Sequence, residues 1–267
     1  MTDSRSRTPT ARRDGVGHLF DCWPRLVRRI KSADRLALFL DFDGTLTPIR
    51  HRPEDVPPID AQTRVLLSGL ANRRRLDIYV ISGRRLADLT PRVRVPGLHL
   101  LGMYGWEGRG TPTLREEREL VQRAKRLLRA RLPKTARVWL EDKKLGLAVH
   151  YRGARPGEVR ATRLLVEGVV EHFKPHFYLL RQKKVLELVP RAVDGKDAAV
   201  RRLLGKQGQT TLPIFVGDDA ADESAFAALP RGITVRVGTT RRTRARFYLR
   251  HPGEVLAFLR KLEAEIT

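Results

Sequence analysis

Leu36-Ala-Leu-Phe-Leu-Asp41-Phe-Asp43-Gly-Thr-Leu-Thr-Pro48 is an apolar run that ends abruptly in two carboxylates two positions apart. A run of this length bounded by turn residues reads as a buried strand. On an extended chain residues i and i+2 point to the same side, so Asp41 and Asp43 are expected to emerge together at a strand's C-terminal end. In open parallel sheets that edge is where ligands bind. Two anionic groups side by side there need a cation or a shared proton to be tolerable. A turn capped by its own carboxylates gives the same local pattern, but a second acidic cluster weighs against it. Gly217-Asp218-Asp219-Ala-Ala-Asp222-Glu223 follows another short apolar run, Leu212-Pro-Ile-Phe-Val216. Two strand ends that each deliver carboxylates read as the halves of a magnesium site, because Mg²⁺ takes oxygen ligands, often one or two carboxylates plus waters and substrate phosphate.

Outward from that strand, the periodicity alternates. Strand 35–40 is followed by a helix over about 60–74, strand 76–81, a helix over about 84–90 and a short strand near 98–101. The rhythm then changes: a charged amphipathic helix over 114–132, strands at 137–140 and 146–151 around a turn at Glu141-Asp-Lys-Lys144, a helix over 157–173, and strands 176–181 and 184–189. It resumes with helix 195–204, strand 212–216, helix 222–228, strand 232–237, a short strand near 245–249 and a final helix from Pro252. Alternation of this kind predicts an α/β fold, a doubly wound and mostly parallel sheet, with an inserted α+β cap. The expected division is a disordered tail and leading helix over 1–32, a core domain over 33–107 and 191–267, and a cap domain over 108–190. The tail to about residue 17 is polar and arginine-rich, and apolar positions from His18 to Lys31 have helical spacing.

The 267 residues hold 53 Lys and Arg against 30 Asp and Glu, a net charge of +23. Such a field favours anionic partners or substrates. The basic residues are spread over Ser4–Arg13, Gln122–Arg137 and Thr239–Arg250 without the interleaved aromatics of a single-strand binding platform. Nucleic-acid binding is therefore expected only as a secondary, salt-sensitive property. The single cysteine, Cys22, rules out an intrachain disulfide framework and fits a reducing compartment. The N-terminus has no apolar core of a secretory signal, and no run approaches a membrane span. The expected location is cytoplasmic.

Four segments in order, Asp41-Phe-Asp-Gly-Thr45, Ile81-Ser82-Gly83-Arg84, Lys196 at a helix start and Gly217-Asp218-Asp219, resemble the signature motifs of haloacid dehalogenase-type phosphatases. More narrowly, Asp41 to Ile49, Gly102-Met-Tyr-Gly-Trp-Glu107, Glu141-Asp-Lys143, His150-Tyr-Arg152, Val185-Leu-Glu-Leu-Val-Pro190 and Gly217 to Phe226 resemble trehalose-6-phosphate phosphatases over about residues 35–263. Two positions depart from that pattern: Tyr104 stands where the family usually has His, and Ala221 where it usually has Thr.

The resemblance implies Mg²⁺-dependent hydrolysis of trehalose 6-phosphate through an aspartyl-phosphate. Asp41 is the implied nucleophile. Asp43 is the implied acid and base, which asks for a proton held there by proximity to Asp41 and partial burial. Metal ligands would be Asp41, the backbone carbonyl of Asp43, and Asp218. Ser82, Gly83 and Lys196 would bind phosphate, with Asp219 and Asp222 in an outer layer. Lys143, His150, Arg152 and Glu187 of the cap would meet the sugar, with Glu187 the preferred hydroxyl acceptor and Lys183 or Lys184 undecided. Each has an ordinary reading as well: Ser82 as a helix N-cap, Lys196 as a surface lysine, Asp219, Asp222 and Glu223 as favourable charge at a helix start, and the cap residues as a solvated face or internal ion pairs. The expected partner is a small-molecule sugar phosphate, with no membrane; association with a trehalose-6-phosphate synthase stays open, and the chain is expected as a monomer or weak oligomer. The alternatives are a phosphatase of the sucrose-phosphate or mannosyl-3-phosphoglycerate type and a noncatalytic sugar-phosphate or nucleic-acid binding protein.

Overall fold

The structure, a computed structural model, describes residues 16–50, 52–108, 115–193, 195–205, 210–238 and 242–266. The tail expected to be disordered lies outside the described residues up to position 15. In chain order the strands are β1 (Gly17–His18), β2 (Arg35–Leu40), β3 (Leu76–Ile81), β4 (His99–Leu101), β5 (Trp139–Asp142), β6 (Leu147–His150), β7 (Phe177–Gln182), β8 (Val185–Pro190), β9 (Thr211–Gly217), β10 (Ile233–Val237) and β11 (Phe247–Leu249). The helices are α1 (Trp23–Ser32), α2 (Ala61–Ala71), α3 (Leu86–Val93), α4 (Arg115–Arg131), α5 (Pro156–His172), α6 (Lys196–Leu204), α7 (Asp222–Ala228) and α8 (Pro252–Glu265).

Seven strands form one parallel sheet in the order β1-β11-β10-β9-β2-β3-β4. The chain builds outward from β2 through β3 and β4 on one side, then returns to β9 and builds outward on the other. The strand order therefore reverses at β2 and β9, and the crevice beyond their carboxyl ends is where such sheets bind ligands. β2 is buried on both faces, as parallel strands are. Leu36, Leu38 and Leu40 join the larger core cluster, which also holds residues of α1, α2 and α8, while Ala37 and Phe39 join the cluster with residues of α6 and α7. The fold is α/β, a doubly wound parallel core carrying a small antiparallel cap.

The segment between β4 and α6 makes a separate antiparallel sheet, β5-β6-β8-β7. Its alternation sorts side chains by role. Leu140, Leu147, Val149, Leu179, Leu186 and Leu188 pack with α4 and α5 residues in one cluster. The opposite face carries Glu141, His150, Gln182 and Glu187.

Two local expectations change. Gly17, expected in the disordered tail, and His18, expected to start the leading helix, instead pair in parallel with Phe247 and Tyr248 of β11, and the helix begins at Trp23 with Pro24 in its first turn. Pro is well placed there because the first N–H groups of a helix lack partners anyway. The turn expected at 141–144 starts later, since Glu141 and Asp142 pair with Ala148 and Leu147.

Leu38 is fully buried at the centre of β2. Leu38→Ala is expected to lower stability by about 2–5 kcal/mol, read as a lower urea midpoint with an unchanged slope.

Candidate active site

Three neighbouring strand ends converge on one cavity. Asp41 follows β2, Ser82 follows β3, and Asp218 follows Gly217 at the end of β9. Asp41 N–H donates to Val216 O at 2.9 Å and Ser82 N–H to Leu101 O at 3.0 Å, so main-chain bonds to the adjacent strands hold both residues at the sheet edge. Phe42, between the two aspartates, points the other way into the core. Gly44, with φ +82°, turns the chain back so that its N–H donates to Thr47 O at 2.7 Å. A Cβ at Gly44 would collide with the Asp218 carboxylate, so this glycine serves the close approach as well as the turn.

Lys196, at the first turn of α6, is 2 % exposed and donates to Asp41 Oδ1 and Asp222 Oδ1, each at 2.6 Å. It is no surface lysine. Burial alone would lower its pKa, and Asp222 and Asp41 outweigh that and raise it. Asp222 is fully buried with both oxygens committed, Oδ1 to Lys196 and Oδ2 to the N–H of Asp219 at 3.0 Å. It orients the lysine. Asp219 lines the cavity while its Oδ1 accepts the Ala221 N–H at 2.7 Å. Glu223 turns away from the cavity to Arg236, Thr243 and the N–H of Arg244.

Ligand atoms of Asp41, Asp218 and Asp222 lie within 4.8 Å of one another. Burial and the neighbouring carboxylates raise the Asp41 pKa well above the ordinary value, partly opposed by Lys196. Burial, then Asp219 and Asp222, push Asp218 up to about 8; burial and Asp222 push Asp219 up to about 6. An oxygen-only, electron-rich donor set with crowded negative charge fits a hard divalent cation.

Asp43 departs from the expectation. Its carboxylate diverges from Asp41 and accepts both prongs of Arg84, from Nε to Oδ2 and from Nη2 to Oδ1, each at 2.7 Å. The like charge expected beside Asp43 is replaced by a guanidinium. Arg84 is itself held by Asp88 at 2.6 Å and the Pro53 carbonyl at 2.9 Å. Ser82 is 1 % exposed and its hydroxyl accepts the Arg84 N–H at 3.1 Å. It does not cap α3; Arg85 holds that position, and the Glu107 carboxylate takes the Leu86 N–H.

The cap closes the cavity from above. Lys143 donates to Glu187 Oε1 at 2.6 Å, and Glu141 Oε2 pairs with His150 Nε2 at 2.8 Å. Burial would lower the Lys143 pKa, but Glu187 and Glu141 raise it; burial would raise that of Glu141, but the His150 bond and Lys143 lower it. His150 also stacks on Trp139, ring centres 3.8 Å apart. Arg152 and Lys183 line the rim, with Arg152 donating to the Lys183 carbonyl at 3.3 Å. Lys183 reaches the cavity; Lys184, at φ 68° in the β7–β8 turn, is not among its lining residues.

Asp41, Asp43, Ser82, Gly83, Lys143, His150, Arg152, Glu187, Lys196, Asp218 and Asp219 thus line a single cavity of about 140 Å³, and Asp222 lies behind Lys196. Sequence reasoning passed over Arg84, Glu141, Tyr104 and Gln182, which line it too. Glu141 had a usable signal, two positions before Lys143 on a strand, and Arg84 had another in its i,i+4 spacing to Asp88. Tyr104 and Ala221, the two departures, meet in one apolar cluster with Val189 and Val193.

A family model described as trehalose-phosphatase matches residues 39–252. The chain belongs to this family. A trehalose-phosphate phosphatase of Mycobacterium ulcerans is 29% identical over 252 residues, covering 88% of this chain and 63% of that protein. A probable trehalose-phosphate phosphatase 2 of Oryza sativa is 31% identical, with 85% of this chain and 68% of that protein covered. The chain thus spans less than two thirds of the length of the first of these relatives. The C-terminal domain of C. albicans trehalose-6-phosphate phosphatase superposes with a TM-score of 0.78 at 22% identity, over 95% of this chain and 99% of that one, a likeness of fold.

Because Asp218 and Asp219 hold protons more tightly in the folded chain than at their ordinary 3.8, their stabilising contribution is full below that value. It is lost as pH rises through about 6 and about 8. Thermal unfolding of metal-free protein is expected to show this decline across the carboxylate set, which titrates together. Asp218→Asn should flatten its upper part, and a divalent cation should offset it.

Proposed function

We propose that the protein is a Mg²⁺-dependent phosphatase that hydrolyses trehalose 6-phosphate to trehalose and phosphate. The observation that carries this reading is Asp41 at the sheet's reversal point, bound by a buried lysine and crowded by two further aspartates. Family membership supports the sugar. In this reading the core is residues 33–107 and 191–267, and the cap 108–190.

Asp41 Oδ2, free of Lys196, attacks phosphorus; the bond from phosphorus to the sugar oxygen breaks as an aspartyl-phosphate forms. Lys196 fixes the nucleophile's rotamer and offers a positive charge to the phosphoryl oxygens. Ser82 and the main chain of Gly83 bind the phosphate. Asp43 delivers a proton to the departing sugar oxygen and then takes one from the water that cleaves the intermediate. To do so it must leave the two-pronged grip of Arg84, and a dianionic phosphate in the cavity competes for that guanidinium. The carboxylates of Asp41 and Asp218 with the Asp43 carbonyl would hold Mg²⁺, which when bound neutralises charge between the anionic nucleophile and the anionic ester. In this reading Asp222, already bonded to Lys196 and the Asp219 N–H, serves to orient the lysine rather than to hold the ion.

On the cap, Glu141, Lys143, His150, Arg152 and Glu187 offer charged donors and acceptors to sugar hydroxyls. The cavity of about 140 Å³ is below the roughly 300 Å³ at which ligand pockets begin, and in this reading the cap moves away to admit a disaccharide. Gating of this kind shields the phosphoryl group from bulk water. A lone cysteine and a small polar substrate agree with a cytoplasmic setting. No described helix is long and apolar enough to cross a membrane. We include a monomer or weak oligomer, and leave a synthase partner as a binding experiment.

Phosphate release over a panel of sugar phosphates, including sucrose and mannosyl-3-phosphoglycerate esters, tests the substrate: trehalose 6-phosphate is expected to have the highest kcat/KM, and a clear preference for another ester removes the assignment. Asp41→Asn is expected to lower kcat on the order of 10³-fold or more, and chelation of divalent cations to abolish turnover until Mg²⁺ is restored. Arg84→Ala, measured in the same assay, is expected to reduce kcat more than it changes KM, with partial recovery on adding free guanidinium.

A further inference from the structure

We propose that Tyr104 is a latch between core and cap that positions Glu187, and thereby sets the preference for a disaccharide phosphate over a small phosphate ester. The proposal rests on the phosphatase reading above and adds a residue to it.

Tyr104 belongs to the core. Its N–H donates to the Ser82 carbonyl at 2.8 Å, and the N–H of Met103 donates to the Arg84 carbonyl at 2.7 Å, so its backbone is stitched to the phosphate-binding loop. Met103 and Tyr104 both take left-handed backbone conformations, φ 47° and 60°. For residues with a Cβ that is costly, and surrounding structure must hold it in place. The strain aims the ring across the cavity floor. The ring lies over Gly83 so closely that a Cβ there would come within 2.9 Å of it.

The hydroxyl end belongs to the cap's network. It donates to Glu187 Oε2 and accepts from Gln182 Nε2 at 2.9 Å, from strands β8 and β7. Lys143 takes the other oxygen of Glu187 and sits 5.9 Å from the Tyr104 ring centre. Glu187 is thus held by one donor from each domain, with both groups buried. Burial beside that carboxylate raises the Tyr104 pKa, which keeps the hydroxyl a donor. Each carboxylate oxygen retains a second lone pair, enough to accept a sugar hydroxyl.

When the cap opens to admit a disaccharide, the bonds from Tyr104 to Glu187 and Gln182 break while the bond from Lys143 to Glu187 travels with the cap. Closure remakes them and restores the orientation of Glu187 against the sugar. An ester too small to reach Glu187 draws no benefit from that orientation. Tyr104 is therefore a positioning residue, acting on the sugar through Glu187 and tied to the phosphate loop by its own backbone.

Tyr104→Phe removes the hydroxyl and keeps the ring. The ratio of kcat/KM for trehalose 6-phosphate to that for p-nitrophenyl phosphate is expected to fall about tenfold, chiefly through KM for the sugar ester. Amide hydrogen exchange over 177–190 in the substrate-free protein is expected to quicken. Gln182→Leu, which removes only the hydroxyl's second partner, should lower the ratio severalfold, and it carries the test if Tyr104→Phe does not fold. An unchanged ratio, or an equal loss on both esters, overturns the proposal. If the unaltered protein prefers a different sugar phosphate, the ratio is taken with that ester: the substrate assignment then fails, and the latch stands or falls on the ratio alone.

Discussion

Lys196 is the cation that lets this site exist. Asp41, Asp222 and the lysine are almost wholly out of water, and a buried carboxylate without a partner is strongly destabilising. One ammonium with two carboxylates at 2.6 Å offsets part of that cost for the inner pair. Asp218 and Asp219 remain beside it, and burial together with the neighbouring carboxylates raises their pKa values against the opposing pull of Lys196. Crowded carboxylate oxygens of this kind suit a hard divalent cation, and the lysine holds Asp41 among them.

The parallel sheet makes this concentration of charge possible. Side chains along β2, β3 and β9 are buried, so the first place a carboxylate can stand is just beyond their ends, and three adjacent strands end together. The cap answers with a different geometry. Its antiparallel strands bury one face against α4 and α5 and leave the other polar. Glu141 and Glu187 both pair with Ala148 of β6 and flank its small side chain on the polar face, where Lys143 donates to Glu187. Core and cap therefore bring different chemistry to the cavity, a cluster of carboxylates with a lysine from one and a polar sheet face from the other, with Tyr104 and Arg84 among the residues that line it.

Much of this was legible along the chain because the relevant signals are local. The period-2 alternation of 185–190 places Leu186 and Leu188 in the core and Glu187 opposite them, as observed. The spacing of Asp41 and Asp43 around the buried Phe42 identifies the strand end. The leading segment misled for a physical reason. Leu19 and Trp23 have helical spacing, yet Gly17 and His18 have a free sheet edge beside them in β11, and pairing with it outweighs weak helical propensity at a Pro24 boundary.

Residue type and periodicity by themselves determined the α/β core with its inserted cap, the strand ends that carry the aspartates, and the lysine at a helix start, since each depends on neighbours a few positions away. Only the tertiary structure decided which charge meets which. Asp43 lies 41 residues from Arg84, Lys196 lies 155 from Asp41, and Tyr104 lies 83 from Glu187. Over such separations partner choice is set by how strands pack within the core and, for Tyr104 and Glu187, by how core and cap pack together, and no local pattern carries that information.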